Sequence, residues 1–268
     1  MRYNERESLK QPEGTSEFFK EIDARFFGSS PFYRGDTPFA RWIPFPSLRG
    51  KRVLEIGCGA GSHAELFSRA GCEVWAVDLT AQAVETTRKR AKIHGVEIHA
   101  QQMDGEHLSF KDETFDFVWS WGVIHHSARP EQVLRQAHRV LRPGGQFRLM
   151  VYHRASLCNG VNLLRGLATG KMFRGLSTAE ILSAYSDGFV ARFYSPDQLR
   201  GLLREAGFEV QQLSVLGQTS ELVLLPTVGM TRRLKSWLTL HYPPALAEVL
   251  LSRVGSFLFA ATVKPEAG

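Results

Sequence analysis

Apolar positions change their period several times along this chain. From Ser16 to Phe27 they recur every three or four residues, at Phe18, Phe19, Ile22 and Phe26, and this spacing predicts a helix. The stretch from Pro31 to Pro46 carries four prolines and five aromatic residues, Phe32, Tyr33, Phe39, Trp42 and Phe45. It is too proline-rich for regular structure and reads either as a lid over a cleft or as a strap packed on a sheet, with the lid preferred. Beyond residue 51, short apolar runs alternate with longer amphipathic ones. Strands are predicted at 52–57, 73–78, 96–101, 115–120 and 146–152. Helices are predicted at 62–70, from a Thr80 N-cap to His94, and over 130–141. The pattern then loosens into a helical insert at 154–190. Ser195-Pro196-Asp197 opens a helix that closes at Gly207. A strand at 208–216, a second helical insert at 220–252 and a last apolar strand at 255–263 follow. Repeated β-then-α order with apolar strands predicts an α/β fold whose parallel sheet is covered on both faces.

Composition narrows the class without naming a function. The 268 residues are 43% hydrophobic and 22% charged, ordinary values for a soluble globular protein. The length allows a full core, and no linker or repeat marks a second domain. The expected organisation is one domain over 1–268: N-terminal helix and lid at 1–50, core at 51–152, and a C-terminal part carrying the inserts. Three cysteines, Cys58, Cys72 and Cys158, show neither a C-x-x-C pair nor metal-ligand spacing, so no metal site or disulfide framework is expected. The N-terminus is hydrophilic, and no apolar run approaches the ~20 residues that span a bilayer. A cytoplasmic protein is the expectation. The net charge of +6 suits an anionic partner, but it is also a common surface composition, and that is the preferred reading.

The chemistry concentrates where the first strand ends. Val53-Leu54-Glu55-Ile56 runs into Gly57-Cys58-Gly59-Ala60-Gly61, a turn with glycine at alternate positions that lets a ligand approach the backbone closely. The next strand ends on Asp78, followed by Leu79, and a carboxylate at that tip is placed to accept hydrogen bonds from a ribose diol. A dinucleotide fingerprint would need a third glycine where Ser62 stands, so that reading fails. The pattern acidic-x-G-x-G-x-G, beginning at Glu55, resembles the first motif of the class I S-adenosylmethionine-dependent methyltransferases. Asp78 resembles their ribose-binding acid, and Met103-Asp104-Gly105-Glu106 their adenine-contacting loop. Phe115 to Ser120 resembles their fourth strand, and His138 to Gly145 the helix end and turn before their fifth. The resemblance implies a doubly wound, Rossmann-like seven-stranded sheet with its last strand antiparallel, and S-adenosyl-L-methionine as cofactor. Its implied contacts are Glu55, Gly57, Cys58, Gly59, Gly61, Asp78, Leu79, Asp104, Gly105, Ser120 and Trp121.

Methyl transfer needs in-line positioning, and it needs a base only where the acceptor must lose a proton. Adjacent His125 and His126, just past the fourth strand, are base candidates because imidazole titrates near neutral pH; a role in fixing the loop is the alternative. Tyr152 and His153, past the fifth strand, are second candidates, with Tyr33 and Tyr194 weaker. His94, His99 and His241 read as surface or packing residues. No Asn/Asp-Pro-Pro-aromatic motif stands at Ser120-Trp121-Gly122-Val123, and no cysteine follows a proline. Methylation of exocyclic base amines or of cytosine C5 is therefore not expected. The inserts are expected to set specificity, with Met172, Phe173, Leu176 and Tyr185 suited to an apolar acceptor. The expected function is methyl transfer by in-line displacement to oxygen, nitrogen or carbon of a small, hydrophobic metabolite. An RNA or protein methyltransferase and a non-catalytic cofactor-binding module are the alternatives. The basic, apolar segment Thr231 to Leu238 suits an anionic bilayer, although packing against the main body is the preferred reading there.

Overall fold

A computed structural model describes residues 9–169, 177–185, 191–224 and 229–266. Its sheet contains β1 (Arg52–Ile56), β2 (Glu73–Asp78), β3 (His99–Gln102), β4 (Phe115–Trp121), β5 (Leu141–His153), β6 (Phe193–Tyr194), β7 (Glu209–Leu216) and β8 (Phe257–Val263). The order is β3-β2-β1-β4-β5-β8-β7. Strands β1 to β5 pair in parallel, whereas β8 runs antiparallel to both β5 and β7. An eighth strand, β6, was not expected: its two residues pair in parallel with Tyr152 and His153, where β4 has already ended. The strand predicted from 96 starts only at His99. Pro143-Gly144-Gly145, expected as a turn, lies within β5, and the β4–β5 register shifts between Phe115 and Phe117 to absorb it.

Alternation along the strands builds two cores. Leu54, Ile56 and Val118 face a cluster covered by α5 (Pro130–Val140) and α8 (Pro196–Glu205). Val53, Phe117 and Trp119 face the other, covered by α3 (Ser62–Arg69) and α10 (Pro244–Val254). On that second face Phe117, Trp119 and Trp121 stack as a ladder, at 6.5 and 5.2 Å between ring centroids. The aromatic segment from Pro31 to Pro46 covers this ladder: Phe32, Tyr33, Phe39, Trp42 and Phe45 are all buried. It is thus a strap on the sheet rather than the expected lid, because large rings gain most where a sheet face would otherwise meet water. Phe39 takes a left-handed backbone (φ 65°) within it and stacks on Tyr33 at 4.5 Å.

The remaining helices are α1 (Ser16–Gly28), α2 (Phe45–Leu48), α4 (Ala81–His94), α6 (Leu157–Ala168), α7 (Thr178–Tyr185) and α9 (Gly229–His241). Thr80 caps α4 by accepting from the Ala83 N–H, and Ser195 and Gln198 form a capping box on α8. Helices α6 and α7 lie in the first predicted insert, α9 and α10 in the second. Met172, Phe173 and Leu176 fall outside the described residues, as does the side chain of Tyr185.

Two ionic knots hold the loops above the sheet. Arg90 of α4 is fully buried, and each of its guanidinium nitrogens donates. Nε reaches Ala60 O (2.6 Å), Nη1 reaches Asp23 and Glu65 (2.8 and 2.9 Å), and Nη2 reaches Asp23 and Ser62 (3.0 and 3.2 Å). Burial disfavours the Glu65 charge, yet hydrogen bonds from His94, Arg69 and Arg90 hold its carboxyl below the usual range. In the second knot, Glu106 accepts from Ser127 Oγ, the Arg129 N–H and Arg129 Nε at 2.7 to 2.9 Å. Those bonds lower its carboxyl pKa to about 2.

Two outcomes follow from these knots. Arg90→Met should lower unfolding free energy by about 3–5 kcal/mol, because it strands Asp23 and Glu65 without their cation; urea denaturation measures it. Glu106 has a depressed folded pKa, so its stabilisation is complete above the unfolded value of 4.5 and vanishes as pH falls to about 2. The stability deficit of Glu106→Gln should therefore be largest near neutral pH and shrink on acidification, as thermal melts across that range would record.

Candidate active site

The β1 edge turns sharply because its glycines take conformations other residues avoid. Gly57 has φ 83°, and a Cβ there would lie 2.1 Å from the Val123 side chain. Gly61 has φ 77°, and its Cβ would press on Thr87 at 3.0 Å. The turn is pinned to β2, since the Gly57 and Cys58 N–H groups donate to Val77 O at 2.7 and 3.0 Å. It ends at the N-terminus of α3, whose first N–H groups and dipole favour an anion.

At the end of β2, Asp78 is held by three donors. Gly59 N–H gives to Oδ2 at 3.1 Å, and Thr80 N–H and Oγ give to Oδ1 at 3.0 and 2.9 Å. Oδ1 already accepts two bonds, and Oδ2 keeps lone-pair capacity for a further donor. The neighbouring Leu79 is 67% exposed, an apolar surface at the lip of the edge. Met103 N–H donates to Asp78 O, which brings the next loop alongside. In that loop Asp104 accepts from the Glu106 N–H and approaches His107, and a Cβ on Gly105 would meet Ile56 at 3.0 Å. Asp104, Glu106 and His107 place ligand-type atoms within 4.8 Å of one another, but the Glu106 oxygens are already engaged by Ser127 and Arg129.

Three expected contacts lie behind this edge rather than on it. Glu55 is buried, with one oxygen 3.3 Å from His63 Nδ1 and the other without a partner among the described residues. Burial pushes its carboxyl up against the opposing pull of His63. The Cys58 thiol is also buried, raised well above its usual range by desolvation, and it receives the Thr87 hydroxyl at 3.4 Å. Ser120 is buried and donates to Ile56 O at 3.1 Å, stitching β4 to β1. Trp121 stands at the end of the aromatic ladder, edge-on to Phe39 at 4.8 Å. His63, in the first turn of α3, carried no separate signal in the sequence. Its ring contacts Phe26, Phe39 and Trp119, and its buried Nε2 has no partner among the described residues.

The base candidates divide by burial. His125 is completely buried with neither ring nitrogen partnered among the described residues. Burial, with His126 alongside, drives its pKa well below the usual imidazole range, so it stays neutral. Its ring instead stacks on Tyr152, with centroids 3.8 Å apart. His153 is buried too, with Nδ1 2.9 Å from Gly255 O, and its own carbonyl accepts from Asn159 Nδ2. Both corrections share one cause: the chain turns back over these residues and uses them as packing and clasps. His126 and Tyr152 remain partly exposed. Tyr33 and Tyr194 are buried, and burial raises both phenols. Of the other histidines, His94 pairs with Glu65 and is largely buried, whereas His99 and His241 are exposed.

Beside Tyr152 the insert and α8 flank an open cavity of about 1050 Å³, whose walls include Leu163, Leu182, Phe193 and Leu202 together with Arg154, Arg192 and Glu205. It adjoins the β4 loop directly. Arg192 N–H donates to His125 O at 2.9 Å, and Phe193 stacks on Tyr152 at 5.6 Å.

This edge fits an adenosyl amino acid. The glycine cradle admits a ligand where a Cβ would fill it, α3 offers an anion site, Asp78 retains acceptor capacity and Leu79 presents an apolar surface. A family model described as a methyltransferase domain matches residues 54–149. Over 163 residues the chain is 32% identical to a ubiquinone biosynthesis O-methyltransferase of Ruegeria pomeroyi, covering 60% of this chain and 60% of that protein's length. It is 28% identical to methyltransferase GfsG of Streptomyces halstedii over 221 residues, 76% of this chain and 73% of that one. The solved S-adenosylmethionine-dependent methyltransferase of Mesorhizobium loti shares the fold, with TM-score 0.55 and 19% identity over 84% of this chain and 97% of the other. Residues 54–149 thus match a methyltransferase domain, and in motifs, sheet order and relatives the chain is similar to the class I S-adenosylmethionine-dependent methyltransferases.

Proposed function

We propose that this protein transfers a methyl group from S-adenosylmethionine to a hydroxyl of a small, largely apolar metabolite. The observation that supports this reading is a largely apolar cavity beside the end of β5, linked to the β4 loop by the Arg192 N–H bond to His125 O and the Phe193–Tyr152 ring contact. When bound, the cofactor supplies a methyl group on a sulfonium, open to displacement. Asp78 binds the ribose diol, Leu79 and the Asp104–Gly105 loop flank the adenine, and the glycine turn with the start of α3 receives the amino-acid end. Glu55 acts at one remove, by holding His63 under the turn. The relatives named for ubiquinone O-methylation favour oxygen as the acceptor atom. A hydroxyl must lose its proton, and His126 is the proposed base, with Tyr152 orienting the acceptor. Apolar walls exclude water from the reacting atoms. The whole chain is read as one domain. Its three free cysteines suit the proposed cytoplasmic location, and among the described residues no helix is long and apolar enough to cross a membrane.

Titration calorimetry with S-adenosylhomocysteine should give saturable binding, and Asp78→Ala should weaken it by more than about tenfold as the ribose bond to this carboxylate is lost together with its hold on Gly59 and Thr80. Equal affinity in that variant would remove the ribose assignment. With a hydroxylated apolar acceptor, His126→Gln should lower kcat by about a hundredfold or more while cofactor affinity stays as in the parent protein. A variant that keeps full kcat would show that the acceptor needs no base from His126.

A further inference from the structure

Helix α9 presents a face that the body of the protein does not cover. Leu234 is 50% exposed, Trp237 56% and Leu240 73%. At 100° per residue these three fall on one arc of the helix, with Arg233 between them and Arg232 at its flank. The helix contains no acidic residue. Trp237 stacks on His241 at 4.6 Å, which fixes the indole on the outer surface. Sequence reasoning favoured packing against the main body for this segment. Instead the large apolar side chains point to solvent, while Thr231, Lys235, Leu238 and Thr239 are the partly covered positions.

The position of this face gives it meaning. Helices α9 and α10 lie between the end of β7 at Leu216 and the start of β8 at Phe257, which pair with each other. Helix α6 follows the adjacent end of β5. The chain segments that carry these helices therefore leave the sheet at the end that carries Asp78 and His126. Further exposed apolar side chains are Leu246 and Val249 of α10 and Leu164 of α6. The one acid on α10, Glu248, is paired with Arg41.

We propose that this protein docks on an anionic phospholipid bilayer through the exposed face of α9, with its cofactor end turned toward the lipid. Leucine and tryptophan on one arc with arginine among them match the boundary between acyl chains and acidic headgroups. Charge favours lipid over a second copy of the chain, because a two-fold pairing of this face would set Arg232 and Arg233 near their own counterparts. The docking does not depend on the methyl-transfer assignment, since lipid binding is read without turnover.

The test is co-sedimentation of the full chain with vesicles of phosphatidylcholine alone or mixed with phosphatidylglycerol, at low and high salt. The protein should pellet with the acidic vesicles and be released by salt. Trp237→Glu and Leu240→Glu should each weaken binding by about tenfold, and Arg233→Glu should remove the preference for acidic lipid. These positions are exposed, so the variants should keep the parent melting temperature and affinity for S-adenosylhomocysteine. Equal binding to neutral vesicles, or a Trp237→Glu variant that pellets like the parent, would overturn the proposal. So would sedimentation velocity showing a dimer that Trp237→Glu dissociates, because the face would then belong to a second copy.

Discussion

A buried guanidinium organises the cofactor side of this molecule. Arg90 has no access to water, so each of its donors must find an acceptor inside the protein. It finds them on three separate pieces of chain: Asp23 in α1, Ala60 in the glycine turn, and Ser62 and Glu65 at the start of α3. Alternate glycines give that turn its shape but also its freedom, and a glycine-rich turn loses more entropy on ordering than other segments do. The arginine opposes that freedom. It clamps Ala60 O at 2.6 Å and ties the turn to α1, which leads into the aromatic strap. The cradle and the strap are thus set by one charge and its planar fork, a task for which lysine has neither the donors nor the geometry.

The same logic holds at the opposite edge of the cofactor site. Glu106 ties the Asp104 loop to Ser127 and Arg129, so the loop after β3 and the loop after β4 cannot move independently. One carries the expected adenine contacts and the other carries His126. A ligand seated against Asp104 therefore meets a β4 loop already in place. That is preorganisation by hydrogen bonds whose strength shows in the depressed Glu106 pKa.

The sheet was legible because its signals are local. Apolar runs ending at a glycine turn or an aspartate gave β1, β2 and β4 with little error, and the glycine turn with Asp78 and Asp104 gave the cofactor edge. What escaped has a common physical character: it depends on residues far apart in sequence. Arg90 joins α4 to Asp23, 67 residues earlier, and no spacing rule links them. β6 has only two residues and exists because β4 ends before β5 does. The strap was misread as a lid because proline and aromatic content reports irregular backbone, not which surface that backbone covers. His125 was a base candidate on the titration range of imidazole alone, yet its ring is buried and Arg192 returns from the insert to bond its carbonyl.

Burial finally separates two kinds of chemistry within a short distance. On the cofactor side the important groups are held by several hydrogen bonds each, as Asp78 is by Gly59 and Thr80. Such a site reads one ligand and tolerates little variation. On the proposed acceptor side leucine, alanine and phenylalanine from the insert, β6 and α8 form the apolar part of the walls, with Arg154, Glu180, Arg192 and Glu205 beside them. Apolar walls discriminate weakly between molecules that differ by a methylene, at about 1–3 kcal/mol. Arg192 of that wall donates to the Ser127 and Ala128 carbonyls, which ties the wall to the Glu106 knot. Tyr152 lies at the boundary, its ring against His125 on one hand and Phe193 on the other. A shift in the insert would reach the β4 loop through that contact, and Glu106 would carry it on to the Asp104 loop, so acceptor fit, the placement of His126 and the adenine contacts are mechanically linked.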